Sequence, residues 1–181
     1  MPVYAYIVVI AGVVVWLMPF FLTGWNRSAP LSLDRRARWG LVLEVAGYSL
    51  MLQSWFWVSP WVGRVAASVV CLVLASVLSW TATRALGRHL RFDAAIGADH
   101  KLVRHGPYRF VRHPIYTSML CLLWGIGFMA ASLVLFVIAT AVFLMGTEIR
   151  VRSEDRLLEA QFGEQFRAYR RSTSAYIPFL R

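Results

Sequence analysis

The stretch PIYTSMLCLLWGIGFMAASLVLFVIATAVFLM, residues 114–145, decides the fold, and it contains no charged residue. A bilayer core takes about 20 mostly apolar residues per helix, so this stretch is too long for one crossing and somewhat short for two untilted ones. Ala130, Ala131 and Ser132 near its middle mark a tight turn, which predicts a helical hairpin with two short spans. Toward the amino terminus, apolar blocks at residues 3–22, 39–58 and 65–83 supply three more spans. The expected fold is an all-α integral membrane bundle of about five transmembrane helices forming one domain over residues 1–181. Within it, residues 1–83 are three amino-terminal spans that shape a lipid pocket, and residues 84–181 carry a polar cytoplasmic loop, the hairpin and a carboxyl-terminal amphipathic helix.

Composition agrees with a membrane class: 59% of the 181 residues are hydrophobic and 15% charged. The net charge of +10 does not indicate a nucleic-acid binder, because the basic residues fall in loops between apolar blocks rather than on the face of a soluble module. Residues 23–38 carry four Arg against one Asp, residues 84–112 carry seven Lys or Arg against two Asp, and the tail after Glu148 carries seven Arg. On the other side only Arg64 stands beside an apolar amino-terminal segment. Five spans with the amino terminus outside and the carboxyl terminus in the cytoplasm therefore satisfy the positive-inside rule, and an even count would break it. Trp16, Trp25, Trp39, Trp55, Trp57, Trp61 and Trp80 mostly fall near span ends, as headgroup anchors do. Cys71 and Cys121 both lie in apolar runs and read as small hydrophobes. Residues 2–22 have neither a basic leader region nor a clear cleavage site, so they read as a retained span. In the tail, Ile149, Leu157, Leu158, Phe162, Phe166 and Tyr169 recur at helical spacing, which predicts one amphipathic helix to about Arg171. Ile177, Pro178 and Phe179 then form a short extended segment suited to plugging a groove.

The polar chemistry is concentrated. His89, His100, His105 and His113 all lie in the loop or at its edge, with Tyr108 and Tyr116 close by. Gly106-Pro107 sets a turn, and Pro114 suits the first turn of the fourth span, where a missing amide is harmless. His113 would thus stand at a helix entrance whose free amides attract anions. Interfacial packing accounts for these histidines equally well on spacing alone. A metal site is not indicated, because no cysteine accompanies the histidines and their spacings do not match zinc ligation. A second group, Glu148, Arg150, Glu154 and Asp155, emerges from the last span at the same membrane face. Arg150 and Glu154 are four apart and share a helix face, which by itself describes a surface ion pair worth little. Glu44 is the only acid in the apolar core. A carboxylate there is costly and faces protein or a cavity, so it either lines a substrate tunnel or is held neutral by a neighbouring helix.

Taken together, His100-x-Leu102-Val103, Gly106-Pro107-Tyr108, Arg112-His113-Pro114-x-Tyr116, Arg150-Val-x-x-Glu154-Asp155, Phe162-Gly163 and Ile177-Pro178 resemble the isoprenylcysteine carboxyl methyltransferase family. That family is part of a broader group of membrane enzymes that includes the phospholipid methyltransferases. The resemblance covers residues 87–181, about half the chain. It implies that the loop and the start of the tail helix enclose S-adenosylmethionine, which leaves as S-adenosylhomocysteine. His100, Leu102, Val103, Gly106, Tyr108, His113, Pro114, Tyr116 and Glu154 would then hold the cofactor. It further implies that Arg150 and Glu154 act at the reaction centre, with Arg150 toward the acceptor; Glu44, outside the matching stretch, is a substrate-side candidate only from its place in the apolar core.

Methyl transfer from a sulfonium needs alignment and exclusion of water more than acid or base. In that chemistry Glu154 balances the sulfonium charge, and Arg150 grips an acceptor carboxylate in the bidentate geometry of a guanidinium. An amine or thiol acceptor would instead require His113 or Glu148 to handle a proton. The partners expected are membrane lipids and a lipophilic small-molecule or prenylated acceptor, with no nucleic acid, at a prokaryotic inner membrane. Two other readings stay open. One is an NADPH-dependent membrane reductase related to the sterol reductases, and the other is a non-catalytic protein whose basic loops hold anionic lipid headgroups.

Overall fold

The computed structural model describes residues 2–23, 32–53, 57–87, 90, 95–96 and 102–178. Helices dominate them: α1 (Val3–Thr23), α2 (Ala37–Met51), α3 (Val62–Leu86), α4 (Pro114–Ala130), α5 (Leu133–Phe162) and α6 (Glu164–Ser172). A two-residue antiparallel pair, β1 (Ser32–Leu33) with β2 (Ala95–Ile96), ties the segment before α2 to the loop after α3. The fold is an all-helical membrane bundle. Helices α1, α3 and α5 are each long and apolar enough to cross a bilayer on their own, and α4, at 17 residues, is a shorter apolar helix.

The chain turns where the sequence predicts the hairpin, but its arms are unequal, 17 residues in α4 and 30 in α5, and they pack chiefly on α3 and α2 rather than on one another. Ala130 ends α4, and Ser132 caps α5 by accepting a hydrogen bond from the Leu135 amide at 3.4 Å. The second span is shorter than its apolar pattern, which runs to residue 58. Helix α2 stops at Met51 because the chain beyond it turns to serve the hairpin. The Val58 amide donates to the Ala130 carbonyl at 2.8 Å, Trp57 bridges to Ala131, and the Trp57 indole donates to the Met51 carbonyl at 3.1 Å. A hydrophobicity window cannot see that these apolar residues hydrogen-bond across rather than along the chain. Arg64, the lone basic residue assigned to the outer side, is likewise committed. Its Nε donates to the Phe128 carbonyl at 2.8 Å and its Nη2 to the Gly127 carbonyl at 3.0 Å. The Ala131 carbonyl takes another bond from the same nitrogen. One guanidinium thereby serves three carbonyls at the end of α4, where the last carbonyls run out of intrahelical donors, although Gly127 also takes the Ala131 amide at 2.9 Å.

Helix pairs are set by small residues, as lipid-embedded packing requires. Helix α2 packs chiefly on α5, and α3 on α1 and α4. At the α2–α5 crossing, a methyl on Gly146 would stand 2.5 Å from the Gly40 carbonyl oxygen and 2.8 Å from the Glu44 nitrogen. Gly12 of α1 and Gly125 of α4 both accommodate the Leu72 side chain of α3. The core between these helices is built from Met51, Leu72, Leu123, Ile126, Leu135 and Phe143. The outer faces keep lipid-facing side chains exposed, among them Ile7, Ile10, Val14, Val70, Val73 and Val137.

The tail departs from the single amphipathic helix that its spacing predicts. Helix α5 runs without interruption from the hairpin to Phe162 and carries the charged segment directly out of the bundle. Gly163, with φ +52°, then breaks the helix, and its amide caps the Glu159 carbonyl at 2.8 Å. This left-handed conformation favours glycine. The redirected α6 buries Phe166 and Tyr169 and closes over the loop, where the Tyr169 hydroxyl donates to the Tyr108 carbonyl.

Candidate functional site

At the charged end of the bundle, three elements converge. Residues 102–113 run from the loop into α4, α5 projects beyond its apolar section, and residues 173–178 return from α6. The return segment runs beside the entrance of α4. The Arg112 and His113 amides donate to the Ser174 and Ala175 carbonyls, each at 2.9 Å, and the Thr117 hydroxyl donates to the Tyr176 carbonyl at 2.6 Å. Residues 174–176 thus form a strap on the α4 entrance; of the segment expected to plug a groove, Ile177 and Pro178 follow the strap in a bend and turn and Phe179 lies outside the described residues.

His113 occupies the N-cap position of α4 and is buried. Its Nδ1 lies 3.2 Å from Glu154 Oε2, and its Nε2 lies 2.9 Å from Asp155 Oδ1. Two neighbouring acids of α5 therefore hold both edges of one ring. Burial disfavours the charged imidazole, yet the hydrogen bonds and charges of Asp155 and Glu154 outweigh it and raise the pKa from the ordinary 6.5 to about 9. His113 is an imidazolium at neutral pH and donates through both nitrogens. The second oxygen of Asp155 takes the Arg112 guanidinium at 3.0 Å.

The network continues toward the membrane. The Tyr116 hydroxyl donates to Glu154 Oε1 at 2.5 Å and accepts from Arg150 Nε at 2.6 Å, and the Arg150 guanidinium carbon stands 5.5 Å from the centre of the Tyr116 ring. Arg150 Nε is also 3.7 Å from Glu44 Oε2, while Thr147 donates to Glu44 Oε1 at 3.2 Å. Six ionisable groups, Arg112, His113, Asp155, Glu154, Arg150 and Glu44, together with the Tyr116 hydroxyl, are joined in one chain in which three cations face Asp155, Glu154 and the deeply buried Glu44 carboxyl group. Buried charges require this kind of mutual compensation. Glu154 is the open member, with 26% of its side chain exposed, against 6% for His113 and 9% for Asp155.

The structure thus brings together His113, Tyr116, Arg150, Glu154 and Glu44 of the residues singled out from sequence. Pro114 holds the first position of α4. Gly106, at φ +61°, opens a 3-10 turn that places Tyr108 in the interior. Leu102 and Val103 are half-buried in the segment before that turn. The turn packs against α3, only Tyr108 of these loop residues feels the charge of Glu154, and none of them is a link in the charged chain. His100 and His89 lie outside the described residues. Asp155, Arg112 and Thr147 were not singled out as site residues. The adjacent acids Glu154-Asp155 were the available signal, but on an isolated helix they point to different faces, and only a ring placed between them unites them.

Fold and site together define an integral membrane protein with a charge-compensated polar centre at one end of a helical bundle. The chain belongs to the phospholipid methyltransferase family, whose profile matches residues 63–165. It is 31% identical over 153 residues to the cobalt-zinc-cadmium resistance protein CzcN of Cupriavidus metallidurans, covering 83% of this chain and 66% of that protein. It is 27% identical over 176 residues to methanethiol S-methyltransferase of Mycobacterium tuberculosis, covering 88% and 69%. A third relative, protein-S-isoprenylcysteine O-methyltransferase B of Arabidopsis thaliana, is 26% identical over 144 residues, covering 77% and 68%. The chain spans about two thirds of the length of these relatives. Family membership favours methyl transfer over the reductase reading.

Proposed function

We propose that this protein transfers a methyl group from S-adenosylmethionine to a lipophilic acceptor at the membrane face where α4 and α5 meet the loop. The observation that carries the reading is the convergence of His113, Tyr116, Arg150 and Glu154, from two helices and a loop, on one buried charged chain with Glu154 at its open edge. A partly exposed carboxylate, fixed on both oxygens by His113 and Tyr116, suits a cationic sulfonium. Half-buried Leu102 and Val103 and the turn at Gly106 suit an apolar ring system beside it. On this reading His100, Leu102, Val103, Gly106, Tyr108, His113, Pro114, Tyr116 and Glu154 hold the cofactor, which supplies an electrophilic methyl group. Arg150, oriented by Tyr116 and Glu44, holds the acceptor, and the tail strap and α6 exclude water from the loop.

Arg150 favours a carboxylate acceptor, which needs no base at neutral pH. The similarity to a methanethiol S-methyltransferase supports a second reading, a thiol acceptor. The basic loops favour a charged end that faces the cytoplasm at a prokaryotic inner membrane, with the amino terminus outside.

Calorimetric titration of the detergent-solubilised protein with S-adenosylhomocysteine tests the cofactor assignment. Saturable binding that weakens at least tenfold in Glu154→Gln, at unchanged helical content, is the expected result; no binding by a folded wild type would sink the proposal. Labelled methyl transfer to a prenylated cysteine analogue or to a long-chain alkanethiol then separates the two acceptor classes.

A further inference from the structure

A cleft of about 640 Å³ opens on the face of the α5 extension next to that of Arg150 and Glu154, and its wall shares Arg112 and Asp155 with the charged chain. Helical phase separates the two. Residues 147, 150 and 154 turn toward Glu44 and Tyr116, while 148, 151, 152, 155 and 156 turn toward the cleft, whose far wall is the return strap. Four arginines border it, Arg112, Arg152, Arg156 and Arg170, against two acids, Glu148 and Asp155.

The pairings show which positive charge is in excess. Arg112 and Asp155 are buried and neutralise one another at 3.0 Å, and Arg152 is paired with Glu148 at 2.7 Å. Arg170 shares Glu159 with Arg167, so one carboxylate faces two guanidinium groups. Arg156 reaches Asp34 only at 4.0 Å. The side chains of Arg156 and Arg170 are 60% and 54% exposed. The excess is thus concentrated at these two, at the rim. Tyr176 and Ile177 also line the cleft, next to the point where Thr117 of the apolar helix α4 binds the strap. The cleft therefore adjoins the amino-terminal end of an apolar helix.

We infer that this cleft binds the headgroup of an anionic phospholipid, its phosphate held by Arg156 and Arg170 and its glycerol end against Tyr176 and Ile177. Guanidinium groups match phosphate geometry, and basic pockets beside transmembrane helices are suited to anionic headgroups. Inorganic phosphate would satisfy the arginines but leave Tyr176 and Ile177 unused, so the structure favours the lipid. Neither Arg150 nor Glu154 lines the cleft, so the lipid bound there is distinct from the methyl acceptor that Arg150 is proposed to hold. It would brace the strap that caps Arg112 and His113.

The test is thermal unfolding of the detergent-solubilised full chain during titration with phosphatidylglycerol, phosphatidylcholine or inorganic phosphate. We expect a saturable rise in Tm with phosphatidylglycerol alone. The double variant Arg156→Gln/Arg170→Gln should weaken that response at least tenfold while its Tm in phosphatidylcholine stays unchanged. Arg38→Gln, which removes an exposed arginine of α2 that does not border the cleft, should respond like wild type. An undiminished response in the double variant, or equal responses to the two lipids, overturns the inference. So does phosphate acting at the same concentration as phosphatidylglycerol, which would make the ligand a free anion.

Discussion

His113 and Asp155, 42 residues apart in the chain, meet with Nε2 and Oδ1 2.9 Å apart in the interior of the charged end. Because Glu154 holds the other ring nitrogen at 3.2 Å, the imidazole is fixed in orientation and in charge by consecutive residues of one helix. The α4 entrance is thereby locked to the α5 extension, and the site is built on that lock.

The first consequence is a pH dependence of stability. The His113 pKa is raised from 6.5 to about 9 on folding, so its contribution is fully present below pH 6.5 and is lost as pH rises through about 9. We expect stability to fall by roughly 2–4 kcal/mol across that window, because each pH unit between the unfolded and folded values corresponds to about 1.4 kcal/mol. Thermal unfolding of wild type and His113→Gln between pH 6 and 10 checks this, the variant being flat where the wild type declines.

Asp155→Asn removes one of the two acids on the ring and leaves Arg112 facing a neutral amide. Breaking a buried ion pair on one side costs about 3–5 kcal/mol. A second effect separates this residue from a merely structural one. The midpoint of the pH-dependent loss should move toward lower pH, because His113 then keeps a single carboxylate. An unmoved midpoint would contradict the shared-ring geometry.

Tyr116→Phe deletes the hydroxyl that joins Arg150 to Glu154 at 2.6 and 2.5 Å while preserving the ring. If the site transfers methyl groups as proposed, kcat should fall about 10- to 100-fold, one or two steps of 1.36 kcal/mol. Tm should change less than in Asp155→Asn. Equal activity in the two proteins would remove Tyr116 from the reaction centre.

Gly146→Ala tests the close crossing of α2 and α5, where the added methyl would meet backbone atoms at 2.5 and 2.8 Å. Overpacking of this kind costs about 1–3 kcal/mol or more, and it should separate Glu44 from Arg150. Gly163→Ala meets nothing within 4 Å, so its cost is only the backbone at φ +52° and ψ −125°, about 1–3 kcal/mol. Parallel Tm measurements should rank Gly146→Ala as the more damaging.

Arg64→Met should cost at least about 2 kcal/mol, since a charged donor is withdrawn from carbonyls it serves at 2.8 and 3.0 Å. Faster amide exchange confined to residues 127–135 would locate the damage at the hairpin.

The sequence by itself determined the membrane class, the hairpin within residues 114–145 and the family resemblance, because apolar run length and motif order are one-dimensional properties. It also singled out His113, Tyr116, Arg150 and Glu154, whose spacing around the hairpin could be read along the chain. Tertiary structure alone decided the rest. The end of α2 at Met51 depends on Val58 finding the Ala130 carbonyl. The break at Gly163 turns what reads as one amphipathic period into two helices. Asp155 and Glu154, neighbours that diverge on an isolated helix, become partners only because the His113 ring fills the space between them. Glu44 acquires its partners from α5, more than 100 residues away in the chain. Burying a charge in an apolar bundle demands a counter-charge, but which distant residue supplies it is settled only when the helices pack.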